Sequence, residues 1–387
     1  MVVVTAVAFS AGGAQAAVPS DPLATSWTYR AAGLPGAWDL TTGSPAVVIA
    51  VVDSGVDGSH PDLAGAVGAG YDLVDDDTTA SDGQGHGTAV AGIAAARANN
   101  GIGAAGVCWT CRIMPLRVIG PEGYAPNART AAAIDYAVDH GAAVVNISLY
   151  GENLNSRLQD AVRRARASGV VVVAAAGNEG GRIREYPAAY PPVLSVGATG
   201  EDGRLTSYSS RGGWVKLAAP ACAPTTQLGG GFGAGCGTSG ATPVVAGIAA
   251  LLRSRAPFAT VPDIERALAS TARPVTGVRF GRVDAFAALQ RLGRPGLRLL
   301  PTIQGSPYVG GTLTAYSGTW SGAPLELAYR WGLCRTAKCA RVTTVGSGRT
   351  YTLRSADRGR RLRLAVTASD GARTITAVSA PTRVVSR

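Results

Sequence analysis

The sequence predicts a parallel-sheet α/β domain followed by an all-β sandwich. Three observations carry this reading. Between about residues 45 and 290, apolar runs of strand length alternate with helical stretches, the pattern of strands buried on both faces by crossover helices. After Gly293 short runs rich in Thr, Val, Tyr and Leu take over, separated by turn residues, which reads as a sandwich. Charge divides at the same place. Residues 297–387 hold 14 basic and 3 acidic residues against 22 and 22 before them, so the last segment carries the whole net charge of +11. With 46% hydrophobic and 16% charged residues, the 387-residue chain is globular and long enough for two domains.

Taken in order, residues 1–16 read as a signal peptide. They are apolar and then small, and Ala14-Gln15-Ala16 has the A-x-A form of a cleavage site. Gly12 and Gly13 break the run, which argues against a membrane anchor. No basic region precedes it, so a longer leader is expected upstream. An exported protein follows, secreted or associated with the cell envelope. Residues 17–292 form the α/β domain. Its clearest strands are AVVIAVVD (46–53), AAVVNISL (142–149) and VVVVAAAGN (170–178). Thr130 is expected to cap a helix that stops at Gly141, and Asn155 one that stops at Gly169. Ser239 is expected to cap a third, with Pro243 in its first turn. Residues 293–300, holding Pro295 and Gly296, are the linker. Residues 301–387 are the sandwich, with Trp320, Trp331 and Tyr351 as core. Its basic character suits an anionic envelope polymer as partner, with solubility and base composition as the plainer accounts.

Six cysteines fall as three close pairs, Cys108/Cys111, Cys222/Cys236 and Cys334/Cys339. An even count in an exported chain predicts local disulfides. The C-x-x-C of Cys108 and Cys111 is also a redox or metal spacing, but no second pair or histidine stands near it in sequence.

Chemistry concentrates in three loops. Asp53 ends a buried strand, where a carboxylate must be paired or hydrogen-bonded. His86 lies between glycines in DGQGHGTAVAG, open to close approach. Ser239 lies in GTSGATPVVAG at a helix start. Serine needs an adjacent base, and the base needs a carboxylate to hold its tautomer. The Asp-Ser-Gly of 53–55 alone also matches an aspartic-protease motif, but that leaves the His and Ser loops without a role. His140 closes a helix, and His60 sits in a turn.

With VVDSGVD, GHGTAVAG and GTSGATPVVAG in this order, residues 20–290 resemble the subtilisin-like serine proteases, the subtilases. The resemblance implies peptide-bond hydrolysis through an acyl-enzyme on an α/β fold. It makes Ser239 the nucleophile, His86 the base and then acid, and Asp53 its partner. Asn178 in AAAGNEG becomes the oxyanion donor, with the Ser239 N–H as second donor. Substrate-binding positions are Ser148, Leu149, Tyr150 and Gly151 on one wall and Ala174, Ala175 and Gly177 on the other. Tyr150 stands where the family has glycine and narrows the entrance. Glu185 is placed near the base of the P1 pocket, where a carboxylate favours basic side chains. Structural Ca²⁺ is expected, with no organic cofactor. Asp21, Asp62 and Asn100 match one calcium loop. Asp72, Asp75 and Asp77 form a second candidate, because such dense carboxylates repel unless a cation lies among them.

Two departures stand out. Gly240 replaces the methionine or aromatic that follows the nucleophile. No inhibitory prodomain of the usual length fits between residues 17 and 20, so either the start is misplaced or folding proceeds without one. Closing the Cys222–Cys236 loop contributes about 3 kcal/mol in that case. The tail resembles an immunoglobulin-like module of actinobacterial exported proteins. A monomer acting on proteins or peptides, without nucleic acid, is expected. An adhesion protein on an inactive protease fold is disfavoured by the full set of site residues. A carboxylesterase predicts G-x-S-x-G, and Ala241 fills its last place.

Overall fold

A computed structural model of the protein describes residues 19–151, 153–293, 296–322, 325–336, 339, 342–370 and 373–387. The proposed signal peptide and part of the linker lie outside the described residues. Contacts divide the chain into two compact units; Gln290–Arg387 with Arg255–Ala259 forms the second.

In the first unit, short helices α1 (Trp27–Ala31) and α2 (Leu34–Trp38) precede β1 (Val48–Asp53), β2 (Tyr71–Asp72) and α3 (His86–Ala95). Then come β3 (Arg112–Arg117), α4 (Asn127–Asp139), β4 (Val144–Ile147), α5 (Ser156–Ala167), β5 (Val171–Ala175), β6 (Leu194–Thr199) and β7 (Leu217–Pro220). A hairpin of β8 (Ala223–Gln227) and β9 (Gly231–Gly235) leads into α6 (Gly237–Arg255). The unit closes with α7 (Val261–Thr271), β10 (Gly281–Arg282) and α8 (Ala285–Gly293), whose last residues pass into the second unit.

Eight strands pair in the order β10-β7-β6-β5-β4-β1-β3-β2, and every pairing is parallel. Apart from half-buried Val48, these apolar strands are buried along their length, as a sheet covered on both faces requires. The strand order reverses at β1. The chain moves from β1 to β3 and β2 on one side, and from β4 to β7 on the other. Ligand sites of such sheets gather beyond the strand ends at this switch point, and β1 ends on Asp53.

Local signals decide the helix ends with mixed success. The Asn155 carboxamide accepts from the Leu158 N–H at 3.0 Å, and Gly169 beyond α5 takes the left-handed φ of +83°. Thr130 is not a cap. Helix α4 starts three residues earlier, and the Thr130 hydroxyl bonds back to the Pro126 carbonyl at 3.3 Å. Ser239 is not a cap either. Helix α6 already begins at Gly237, so Pro243 falls in its second turn rather than its first. Among the described residues, no helix is long and apolar enough to cross a membrane.

Beyond α8 the second unit is built of β-strands, with one short 3-10 turn at Ser355–Asp357. It comprises β11 (Gly296–Leu299), β12 (Thr302–Gln304), β13 (Thr312–Tyr316), β14 (Thr319–Ser321), β15 (Glu326–Cys334), β16 (Thr343–Ser347), β17 (Thr350–Thr352), β18 (Arg361–Ser369) and β19 (Thr374–Val378). Sheets β16-β15-β18-β19 and β12-β13-β17 are antiparallel. They share a core of Trp331, Tyr351, Leu313, Leu333, Leu362 and Leu364, with Trp320 half-buried against it. Strand β18 alternates strictly, Leu362, Leu364 and Val366 inward and Arg361, Arg363 and Thr367 outward.

All three expected cysteine pairs are disulfides: Cys108–Cys111, Cys222–Cys236 and Cys334–Cys339. The last belongs to the second unit. Cys334 ends β15, and Cys339 follows in a turn, its N–H donating to the Thr336 carbonyl at 3.1 Å. Cys339 takes a left-handed φ of +46°, which is uncommon for a residue with a side chain. Both sulfur-bearing residues are buried. Cys334 and Cys339 therefore close a turn of the sandwich, whereas Cys222–Cys236 runs directly into α6.

Candidate active site

Asp53 and His86 meet because two neighbouring elements are forced close. Gly87 makes the approach feasible: a Cβ there would stand 2.1 Å from the Gly55 carbonyl oxygen and 3.1 Å from the Asp53 Cβ. Helix α3 therefore presses against the end of β1. His86 Nδ1 lies 2.7 Å from Asp53 Oδ1, and the Ser54 N–H donates to the same oxygen at 2.8 Å. Asp53 is fully buried. An ionised carboxylate facing Nδ1 keeps the ring proton there, so Nε2 is left as the basic nitrogen. The Asp53 charge, helped by its hydrogen bond, holds the His86 pKa above that of ordinary histidine against the opposing effect of burial.

A second carboxylate arranges this pair. Asp82, nearly buried, accepts from the Ser54 hydroxyl and the Gln84 and Gly85 N–H groups on one oxygen. Its other oxygen accepts from the Thr88 N–H and hydroxyl. Ser54 Oγ in turn accepts from the Gly87 N–H at 2.9 Å. Asp82 thus ties the end of β1 to the start of α3. Sequence reading missed it, although Asp followed by Gly before a helix is an Asx-type cap signal.

Ser239 enters the site from α6. Its hydroxyl donates to the Ser148 carbonyl at 3.0 Å and is not hydrogen-bonded to His86. Catalytic hydrogen bonds of unliganded enzymes often form only with substrate in place. The Ser239 N–H, in the first turn of α6, has no acceptor among the described residues and is available to an anion. Gly240, the departure noted above, has a steric reason: a Cβ there would stand 1.9 Å from the Gly235 carbonyl oxygen.

Asn178 is aimed by Thr238. The Thr238 N–H and hydroxyl, at 2.9 and 3.1 Å, both lie against Asn178 Oδ1. A backbone N–H needs an acceptor, so the amide oxygen faces Thr238 and the NH₂ faces away. Thr238 is a second residue that sequence reading missed; it stands only one place before Ser239.

Of the expected substrate-binding residues, Ser148, Leu149, Tyr150 and Gly151 line one cleft. The cleft, of about 590 Å³, is also lined by His86, Tyr124 and Tyr186. Gly151 exchanges backbone hydrogen bonds with Tyr186 at 3.1 and 2.7 Å, and Glu185 directly precedes Tyr186 in the chain. Glu185 is 1% exposed. Its Cγ lies 2.8 Å from where a Gly177 Cβ would stand, so the missing side chain at Gly177 is what admits it. Ala174 and Ala175 are buried in β5.

The two calcium candidates differ. Buried Asp21 accepts from the N–H groups of Asn99, Asn100 and Gly101, and the Asn100 amide donates to buried Asp62 at 2.7 Å. Burial pushes the Asp62 carboxyl up, and the Asp21 charge adds to it. Two buried carboxylates flank one tight loop, and carboxylate and amide oxygens are the ligand types that a hard cation takes. The acidic turn does not gather its three ligands. The Arg117 guanidinium bridges Asp72 and Asp75, supplying the positive charge that their density requires. Asp77 instead accepts from the Thr79 N–H. Among the described residues, no group of three or more His, Cys, Asp or Glu could hold a metal. His60 is buried, with Nδ1 accepting from the Asp62 N–H and Nε2 against the Gly231 carbonyl.

Fold and site together define a serine hydrolase built on a parallel α/β sheet. Residues 44–297 match the model of the Subtilase family, and the chain belongs to that family as a subtilisin-like serine endopeptidase. Thermitase of Thermoactinomyces vulgaris is 42% identical over 283 residues, 70% of this chain and 99% of thermitase. The thermophilic serine proteinase of Bacillus sp. (strain AK1) is 43% identical over 65% of this chain and 64% of its own length. A solved protease structure from Pseudoalteromonas arctica PAMC 21717 superposes with a TM-score of 0.67 at 33% identity. It covers 70% of this chain and 99% of that one.

Proposed function

We propose that the chain is an exported endopeptidase in which Ser239, His86 and Asp53 cleave peptide bonds through an acyl-enzyme. The contact of 2.7 Å between His86 Nδ1 and Asp53 Oδ1 carries the reading. It leaves Nε2 as a base whose protonated form the buried carboxylate stabilises. The Ser239 oxygen bonds to the scissile carbonyl carbon, and its proton passes to Nε2. The oxyanion that forms is held by the Asn178 amide and the Ser239 N–H. The C–N bond then breaks as His86 returns the proton to the departing amine. Water repeats the sequence on the ester and regenerates Ser239.

Fluorophosphonate labelling of the purified protein tests this, together with cleavage of a protein substrate. Labelling and cleavage are expected in wild type and absent in Ser239→Ala. Labelling that survives the substitution would overturn the assignment. Export rests on the apolar, small-residue form of residues 1–16. N-terminal sequencing of protein from culture medium is expected to begin after Ala16, and recovery from the cytoplasm alone would count against it.

Three further assignments belong to the same reading. Glu185 sets a preference for Lys or Arg at P1. Asp21, Asp62 and Asn100 hold a structural Ca²⁺, which when bound neutralises the buried acids and cross-links two segments far apart in sequence. The basic second unit attaches the enzyme to an anionic polymer of the cell envelope.

A further inference from the structure

Helix α6 carries a proline where its own geometry asks for a donor. In an α-helix the carbonyl of residue i pairs with the N–H of residue i+4. For Ser239 that residue is Pro243, which has no N–H and whose ring crowds the carbonyl four places back. In the structure the Ser239 carbonyl accepts a hydrogen bond from Ser148 Oγ at 2.9 Å. Ser148 lies just beyond β4 and is buried, with 2% exposure. A hydroxyl has one proton, and its direction here is fixed. The fully buried Asn146 on β4 donates from Nδ2 to Ser148 Oγ at 3.0 Å, which turns the Ser148 proton toward Ser239. The bond is answered in reverse, because Ser239 Oγ donates to the Ser148 carbonyl at 3.0 Å.

We propose that Ser148, oriented by Asn146, is a positioning residue for the nucleophile: its hydroxyl replaces the donor that Pro243 removes and fixes the backbone of Ser239. The inference rests on Ser239 being the nucleophile. Holding the carbonyl sets ψ of Ser239. A helix-internal N–H at position 243 would hold the carbonyl along the helix axis. With proline there, the Ser148 hydroxyl supplies that hold instead.

The test is the rate of labelling by a small fluorophosphonate, which needs nucleophile and oxyanion donors but no peptide strand, beside kcat and KM on a peptide. Ser148→Ala and Ser148→Cys remove the strong donor, and whichever folds, by circular dichroism and Tm, carries the comparison. Loss of one such bond slows labelling and kcat by roughly fivefold to tenfold. Ser148→Thr keeps the hydroxyl and labels faster than Ser148→Ala. Adding Pro243→Ala to the Ser148 variant returns an N–H to the Ser239 carbonyl, and most of the lost rate is recovered. Wild-type labelling in the folded Ser148 variant, or no recovery in the folded double variant, overturns the proposal. Labelling that survives Ser239→Ala instead overturns the nucleophile assignment, so the two failures are distinguishable.

Discussion

His86 sets the pH dependence of the reaction. The general base must be neutral to accept the serine proton, and the Asp53 charge favours the protonated ring, with the hydrogen bond adding to it. The folded pKa is therefore raised, and activity is lost as pH falls through a midpoint above that of free histidine. Asp53→Asn removes the charge and offers Nδ1 a poorer partner. The acid limb of kcat/KM should then move to lower pH, while kcat drops by about 10⁴-fold, the loss known in another triad enzyme. An acid limb that stays in place in Asp53→Asn would show that the carboxylate does not govern this titration. Glu185 poses the specificity question at the same scale. Its buried carboxylate packs where Gly177 lacks a side chain, one residue before Asn178. A charged partner is worth more than a neutral one, so Glu185→Gln should lower kcat/KM for Arg over Phe at P1 by roughly 10-fold to 100-fold. Equal cleavage of Arg and Phe peptides by the wild-type enzyme sinks the assignment.

At the scale of elements, the sequence announces what is local and hides what is not. Asp53 ends a strand, His86 starts a helix and Asn178 follows three residues after β5, and runs of apolar residues mark those places. Asn155 is read correctly because its partner is three residues away. Cys334 and Cys339 are read correctly for the same reason, five residues apart across one turn. Ser239 is misread as a cap because helix α6 starts two residues earlier, held by bonds from Thr238 to Asn178, 60 residues back. The acidic turn is misread on similar grounds. Its cation is Arg117, on a neighbouring strand more than 40 residues on. The loop at Asn99–Gly103 gives the element-scale prediction. Asp21 and Asp62 come from separate segments, and the loop between them draws both under cover. A bound Ca²⁺ stabilises the folded form by mass action, since the unfolded chain has no such site. EDTA should lower Tm in wild type and change it much less in Asp62→Asn. Superimposable wild-type melting curves with and without EDTA would remove calcium from this loop.

Across the whole molecule, charge and chemistry are kept on different segments. Residues 1–296, which carry the triad, are balanced, and residues 297–387 carry +11. The excess is not consumed inside the second unit. Asp357, one of its three acids, is buried against Tyr351 and the Arg354 N–H. Arg330, Arg349, Arg354 and Arg358 are exposed, and the Arg349 and Arg354 guanidiniums lie over the rings of Tyr329 and Tyr351. A stacked guanidinium is held in place yet keeps its charge and its edge donors for an anion. Such a surface attracts a polyanion through many weak contacts, each screened by salt over about 10 Å at 0.1 M. Replacing these four arginines by glutamine in the full-length protein should therefore lower the salt concentration that elutes it from a polyanionic resin and from isolated cell walls. Cleavage of a short peptide should be unchanged, because the triad lies in the balanced segment. If the quadruple variant elutes at the wild-type salt concentration, the basic unit is not an electrostatic anchor, and its charge has to be assigned to solubility.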